Sequence, residues 1–219
     1  MKLLAITFFI LFIGFSPATA QQQPFQKDIA AFKKADKIRP PVKNGILFIG
    51  SSSFARWTDL EHTFRSYSAI NRGFGGSTLA NAIYYADDII FPYSPRQIVI
   101  YSGENDIAEG AGPEVTFDRF KILFSLIRKK LPQVPIAFIS IKPSISREKF
   151  MPQMVRTNSL IKKFLSENTK TAFIDVYPLM LQQNGRPMND IFVEDRLHMN
   201  KKGYDIWIKA IRPYLIASN

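Results

Sequence analysis

The chain contains no cysteine and only two histidines, His62 and His198, among 219 residues. Without thiols there can be no disulfide, thiolate zinc site, iron–sulfur cluster or cysteine nucleophile, and nothing to carry a lipid on cysteine. Two imidazoles are too few for a histidine-rich metal site. An enzyme built on this chain that needs an imidazole base has two candidates. There is also no repeat, low-complexity tract or linker that would divide the chain, and its length and 46% hydrophobic content suit one domain with a sizeable core.

The one long apolar run lies at the start. Lys2 precedes Leu3–Phe15, and Ala18-Thr19-Ala20 supplies a small-x-small cleavage pattern. The run is short for a membrane span and lacks a basic stop-transfer flank. Residues 1–20 are therefore expected to be a signal peptide, and the mature chain to begin at Gln21 in the periplasm or outside the cell, without a stable membrane span.

Charge is one-sided, at +11 with two histidines neutral. The basic residues come as pairs, Lys33-Lys34, Lys129-Lys130, Lys162-Lys163 and Lys201-Lys202, on expected helix surfaces. None is interleaved with the aromatic platform that nucleic-acid stacking needs. A solvated surface suited to anionic surroundings accounts for them, and no nucleic-acid partner is expected.

Residues 21–43 read as a polar leader and an amphipathic helix, with Phe25, Ile29 and Phe32 at helical spacing and Arg39-Pro40-Pro41 as its stop. Beyond it, β-like and helix-like stretches alternate. Five runs read as strands: Ile46–Ile49, Ser68–Ile70, Gln97–Tyr101, Ile136–Ile141 and Ala172–Asp175. They are continuously apolar, as strands covered on both faces are. Helical stripes fall at Leu79, Ile83, Ala86 and Ile90; at Phe117, Phe120, Phe124 and Ile127; at Val155, Leu160, Ile161 and Phe164; and over Lys202–Ile216. The pattern predicts an α/β fold, a three-layer α/β/α sandwich on a five-stranded parallel sheet in flavodoxin-like order.

In such sheets the functional loops follow the carboxyl ends of the strands. Gly50-Ser51-Ser52-Ser53 follows the first strand, Asn71-Arg72-Gly73-Phe74-Gly75-Gly76 the second and Gly103-Glu104-Asn105-Asp106 the third; Asp195-Arg196-Leu197-His198 lies beyond the fifth. These are the parts of a serine hydrolase. A hydroxyl needs a base, His198; the base needs a carboxylate to hold its tautomer, Asp195; and a developing oxyanion needs donors of the kind Gly76 and Asn105 supply. Residue chemistry alone leaves Ser51, Ser52 and Ser53 all open as the nucleophile. His62, beside Glu61 in a polar stretch, reads as a surface residue. Phe54 stands where an α/β-hydrolase elbow would need its second glycine, which disfavours that fold.

Taken in order, the four blocks resemble those of the SGNH, or GDSL-type, esterases and lipases, and cover nearly all of residues 44–216. The resemblance implies an SGNH hydrolase domain over 44–219, with Ser52 as nucleophile and Asp195 and His198 as its triad partners. It implies oxyanion donors from the Ser52 N–H, the Gly76 N–H and the Asn105 side chain, and no metal or cofactor. Ser51 replaces the family's usual aspartate, and Glu104 a frequent small polar residue, which places a charge near the pocket. Phe54, Trp57, Phe74 and Glu104 are candidate pocket residues, with core packing equally open for the aromatics, and Lys142–Met151 reads as a mobile loop beside the site whose charges either meet an anionic substrate or are simply solvated. The expected activity is hydrolysis of short-acyl carboxylic esters, such as an acetyl ester on a sugar or a small lipid ester. The rivals are a non-catalytic module of the same fold that binds glycans or lipids, and a basic surface protein for anionic polymers.

Overall fold

The computed structural model describes residues 23–217, so the expected signal peptide lies outside the described residues. Helix α1 (Gln26–Ile38) leads into strand β1 (Ile46–Gly50), short helices α2 (Ser52–Ala55) and α3 (Leu60–Thr63), and β2 (Ala69–Gly73). Helices α4 (Leu79–Tyr84) and α5 (Ala86–Ile89) precede β3 (Gln97–Tyr101); α6 (Glu104–Ala108) and α7 (Pro113–Lys130) precede β4 (Ile136–Ile139). Then come α8 (Met151–Ser166), β5 (Thr171–Ile174) and α9 (Lys201–Ile211).

All pairings in the sheet are parallel, in the order β2-β1-β3-β4-β5. This is the expected α/β fold. Side-chain alternation explains the continuous apolar runs. Leu47 and Ile49, with Ile98 and Ile100, face a core closed by α1, α4, α5, α7 and α8. Ile46 and Phe48, with Val99 and Tyr101, face a second core closed by Phe54, Trp57, Leu60, Trp207 and Ile211. Both faces of β1 are therefore dry, and each buried large apolar side chain contributes about 1.5–3 kcal/mol.

The sheet departs from its expected bounds where polar residues find partners. β2 continues through Asn71, Arg72 and Gly73, which had read as loop. On this edge strand the Asn71 N–H donates to Glu61 Oε1 at 2.9 Å, and buried Arg72 donates to the Tyr93 hydroxyl at 2.6 Å and pairs with Asp36. β4 and β5 end before Ser140 and Asp175. There the Ser140 hydroxyl accepts from the N–H groups of Val176 and Tyr177, at 2.9 and 3.0 Å, in place of ladder bonds.

Two helices also differ. The Leu79–Ile90 stripe is split at Tyr85, which leaves helical geometry (φ −95°, ψ 13°) and donates its hydroxyl to Pro24 O at 2.6 Å. The last helix ends at Ile211 rather than Ile216, because Pro213 in the following 3-10 turn has no N–H to continue it. The lysine pairs are exposed on α1, α7, α8 and α9. Among the described residues no helix is long and apolar enough to cross a membrane.

Candidate active site

β1 ends at Gly50, and the backbone turns at once into α2, so Ser52 stands on the first turn of a helix. Glycine is required at the turn: a Cβ on Gly50 would sit 1.9 Å from the carbonyl oxygen of Tyr101 on β3. That close approach lets the Ser51 N–H donate to the same oxygen at 3.1 Å. Ser51 and Ser53 are buried and Ser52 is partly exposed. Of the three serines, Ser52 is the one the imidazole meets: His198 Nε2 and Ser52 Oγ are 2.9 Å apart.

The other end of the imidazole meets Asp195, with Nδ1 and Oδ2 separated by 2.6 Å. Asp195 also builds the turn that presents the histidine. Its Oδ1 accepts from the backbone N–H groups of Leu197 and His198, both at 2.9 Å, while Arg196, between Asp195 and Leu197, is left-handed (φ 55°). Burial works against the carboxylate, yet the hydrogen bonds from the His198 ring and from the His198 and Leu197 backbone outweigh it and hold the Asp195 carboxyl well below its usual range. The turn is anchored on its far side by Asn200, whose side-chain oxygen caps α9 through the N–H groups of Lys202 and Gly203.

The loop after β2 is fastened to β1. The N–H of Phe74 donates to Gly50 O at 2.9 Å, and Ser77 Oγ contacts that oxygen at 3.3 Å. Gly76 lies between those two contacts with φ 81°, a conformation that suits glycine and costs other residues. Asn105 on α6 reaches the same loop, where its Nδ2 donates one hydrogen to Ser77 O at 2.9 Å. The amide carries a second hydrogen. Among the described residues, the N–H groups of Ser52 and Gly76 meet no acceptor. The loops after β1, β2 and β3 are thus tied together, with three donors on them left for a ligand.

Asp106, quoted in its block but given no role by sequence, is fully buried and ties two loops together. It accepts from the Leu79 N–H at 3.0 Å and pairs with Arg119 at 2.7 Å. The candidate pocket residues take other places. Phe54 and Trp57 are buried in the second core, with the Trp57 ring tilted against Tyr204 at 4.7 Å. Phe74 packs edge-on against Phe25 and Tyr85 in the first core. Glu104 is buried as well, bonded to the Tyr101 hydroxyl at 2.6 Å and to Lys142 Nζ at 3.1 Å. Nor is Lys142–Met151 a free loop. The Lys142 side chain is buried and donates to Leu197 O at 2.8 Å, and Ile145–Phe150 forms 3-10 turns. The charged side chain at the start of the segment conceals this in the sequence, because burial of a lysine depends on a distant carboxylate, here Glu104 of α6. His62 is exposed on α3. Among the described residues no three histidine, aspartate or glutamate side chains gather in the way that a metal needs.

Fold and family place the chain in the class of carboxylic ester hydrolases. Residues 47–206 match the family model described as GDSL-like Lipase/Acylhydrolase, and the chain belongs to that family. Among curated proteins none matches the sequence. Solved structures of similar fold include a protein from Streptococcus pneumonia named for platelet activating factor, at 22% identity and TM-score 0.76, over 87% of this chain and 92% of that one. A GDSL-like lipase from Bacteroides thetaiotaomicron is 20% identical with TM-score 0.72, over 85% of this chain and 96% of that one. A carbohydrate esterase family 3 protein from Talaromyces cellulolyticus is 16% identical with TM-score 0.63, over 78% and 95%. At these identities the likeness is one of fold.

Proposed function

We propose that the chain is an exported serine esterase that removes short acyl groups, acetyl foremost, from a sugar or small lipid ester. The observation that carries this is the relay of two short contacts from Ser52 through His198 to Asp195. Ser52 Oγ passes its proton to His198 Nε2 and bonds the ester carbonyl carbon. The carbonyl oxygen becomes an oxyanion facing the N–H groups of Ser52 and Gly76 and the spare hydrogen of the Asn105 amide. Collapse breaks the bond to the alcohol oxygen, which leaves with the proton from His198. Water then gives a proton to His198 and attacks the acyl-enzyme. A second collapse frees the acid and returns the proton to Ser52. Asp195 holds the Nδ1–H tautomer and balances the imidazolium throughout.

The short-acyl preference rests on what surrounds Ser52. The aromatic side chains nearest in sequence are packed inside the two cores and offer an acyl chain no surface. Asn105 and Arg147, joined at 2.9 Å, form a polar border instead. Export rests on Lys2, the apolar run and Ala18-Thr19-Ala20.

The test is hydrolysis of p-nitrophenyl acetate, butyrate and octanoate by protein beginning at Gln21, beside Ser51→Ala, Ser52→Ala and Ser53→Ala. Acetate should be the best substrate, and only Ser52→Ala should abolish turnover. Octanoate preferred over acetate would overturn the acyl assignment. No turnover from folded protein, with no labelling by a serine-directed phosphonate, would favour a module that binds glycans or lipids without cleaving them.

A further inference from the structure

Three charged side chains stand behind the relay without a part in it. Glu104, Lys142 and Arg147 come from α6, the segment after β4 and the 3-10 turns that follow, and the Glu104 and Lys142 side chains are almost wholly buried. Taking each such ion out of water costs several kcal/mol, so the group is an expensive way to fill space. Burial lowers the Lys142 ammonium's pKa, and the Glu104 carboxylate opposes that shift.

Each member reaches a part of the site. Lys142 Nζ donates to Glu104 Oε1 at 3.1 Å and to Leu197 O, the carbonyl just before His198, at 2.8 Å. Arg147 lies 3.6 Å from the same Glu104 oxygen and donates to Asn105 Oδ1 at 2.9 Å. The other Glu104 oxygen accepts from the Tyr101 hydroxyl at 2.6 Å, which fixes the carboxylate to β3. The Ser146 N–H, next to Arg147, donates to Arg196 O at 3.2 Å. The base-bearing turn and the oxyanion amide are thus fastened to one carboxylate.

We propose that Glu104, Lys142 and Arg147 form a charged clasp that positions the Asn105 amide and the His198 turn together, with Arg147 orienting and polarising the amide. This rests on the ester-hydrolase reading of the same site. An asparagine amide has two orientations that differ by exchange of oxygen and nitrogen. The exchanged form would turn its NH₂ group toward a guanidinium that only donates, so Arg147 permits one orientation, the one with Nδ2 on the loop of Gly76. A cation on Oδ1 also draws electron density from the amide and strengthens its N–H as a donor. Two cations against one carboxylate leave the clasp with one positive charge in excess beside the developing oxyanion. Arg147 is a positioning residue, since it acts through Asn105.

The test is a double-mutant cycle in the protein beginning at Gln21, with kcat and KM read on p-nitrophenyl acetate. Arg147→Met should lower kcat about 10-fold, the rate equivalent of one charge-assisted hydrogen bond, and leave KM within about twofold. Arg147→Lys, which keeps a donor and the charge, should recover part of the loss. Asn105→Ala should lower kcat by about 10²–10³-fold, and adding Arg147→Met to it should cost nothing more. Equal losses in both backgrounds, a rise in KM alone, or unchanged kcat in Arg147→Met would overturn the clasp while leaving the esterase intact. Wild-type protein without esterase activity would overturn the esterase reading, and the clasp with it.

Discussion

Asp106 offers the sharpest test of how the loops are held. Its carboxylate is fully buried; one oxygen accepts from the Leu79 N–H at the start of α4, and the other pairs with Arg119 of α7. Asp106→Ala removes both partners at once. Arg119 is a third exposed and can turn to water, but the Leu79 N–H lies under a buried side chain and is left without an acceptor. The lost bond to a charged group is worth about 1.5–3 kcal/mol and the stranded buried N–H about 1–3 kcal/mol, so the loss should be about 3–5 kcal/mol. For a chain of this size each kcal/mol is about 2–4 °C, so the melting temperature should fall by roughly 6–20 °C. Asp106→Asn keeps an oxygen for one donor and should lose about half as much. The assay is thermal melting with urea unfolding as a cross-check, where the midpoint should shift and the slope stay constant. An Asp106→Ala protein melting within about 2 °C of wild type would mean that Asp106 does not hold the two loops.

Three further outcomes follow from the same geometry. Gly50→Ala places a methyl group against the Tyr101 carbonyl, which backbone cannot yield, and should cost at least about 3 kcal/mol, the upper end of overpacking, in chemical denaturation. Asp195→Asn should lower kcat about 10⁴-fold; a loss below tenfold would remove Asp195 from the relay. Stability should fall above pH 10. Burial first, then its bond to Asp36, pushes the Tyr93 hydroxyl up to about 12, and burial with the Glu104 charge raises Tyr101. The unfolded chain sheds these protons near pH 10 and the folded chain holds them, so the fall should continue to about pH 12 in urea midpoints. Tyr93→Phe should flatten that slope, and an unchanged slope would contradict it.

The legible part of the fold was the part set by short-range pattern. Continuous apolar runs marked β1 and β3, because strands dry on both faces leave no other signature. The four loop blocks were legible because their chemistry requires particular residue types just past strand ends. What escaped was decided by distant partners. Asn71 and Arg72 look like loop residues until Glu61, Asp36 and Tyr93 supply their bonds within an edge strand. Lys142 looks solvated until Glu104 meets it from α6, and only the assembled cores decide between pocket lining and core packing for the aromatic side chains near Ser52. Asp106 sat inside a block already singled out. Nothing local distinguishes a carboxylate that faces a substrate from one that welds two loops.

The central claim is that Ser52 is an activated nucleophile served by His198. The most direct measurement is reaction of the protein beginning at Gln21 with a p-nitrophenyl alkylphosphonate, followed by intact mass and peptide mapping. Ser52 Oγ displaces p-nitrophenolate and gains the phosphonyl group, so one adduct per chain on Ser52, slowed by orders of magnitude in His198→Ala, is the predicted result. Labelling on Ser51 or Ser53, or labelling of Ser52 that is indifferent to His198, would contradict the account.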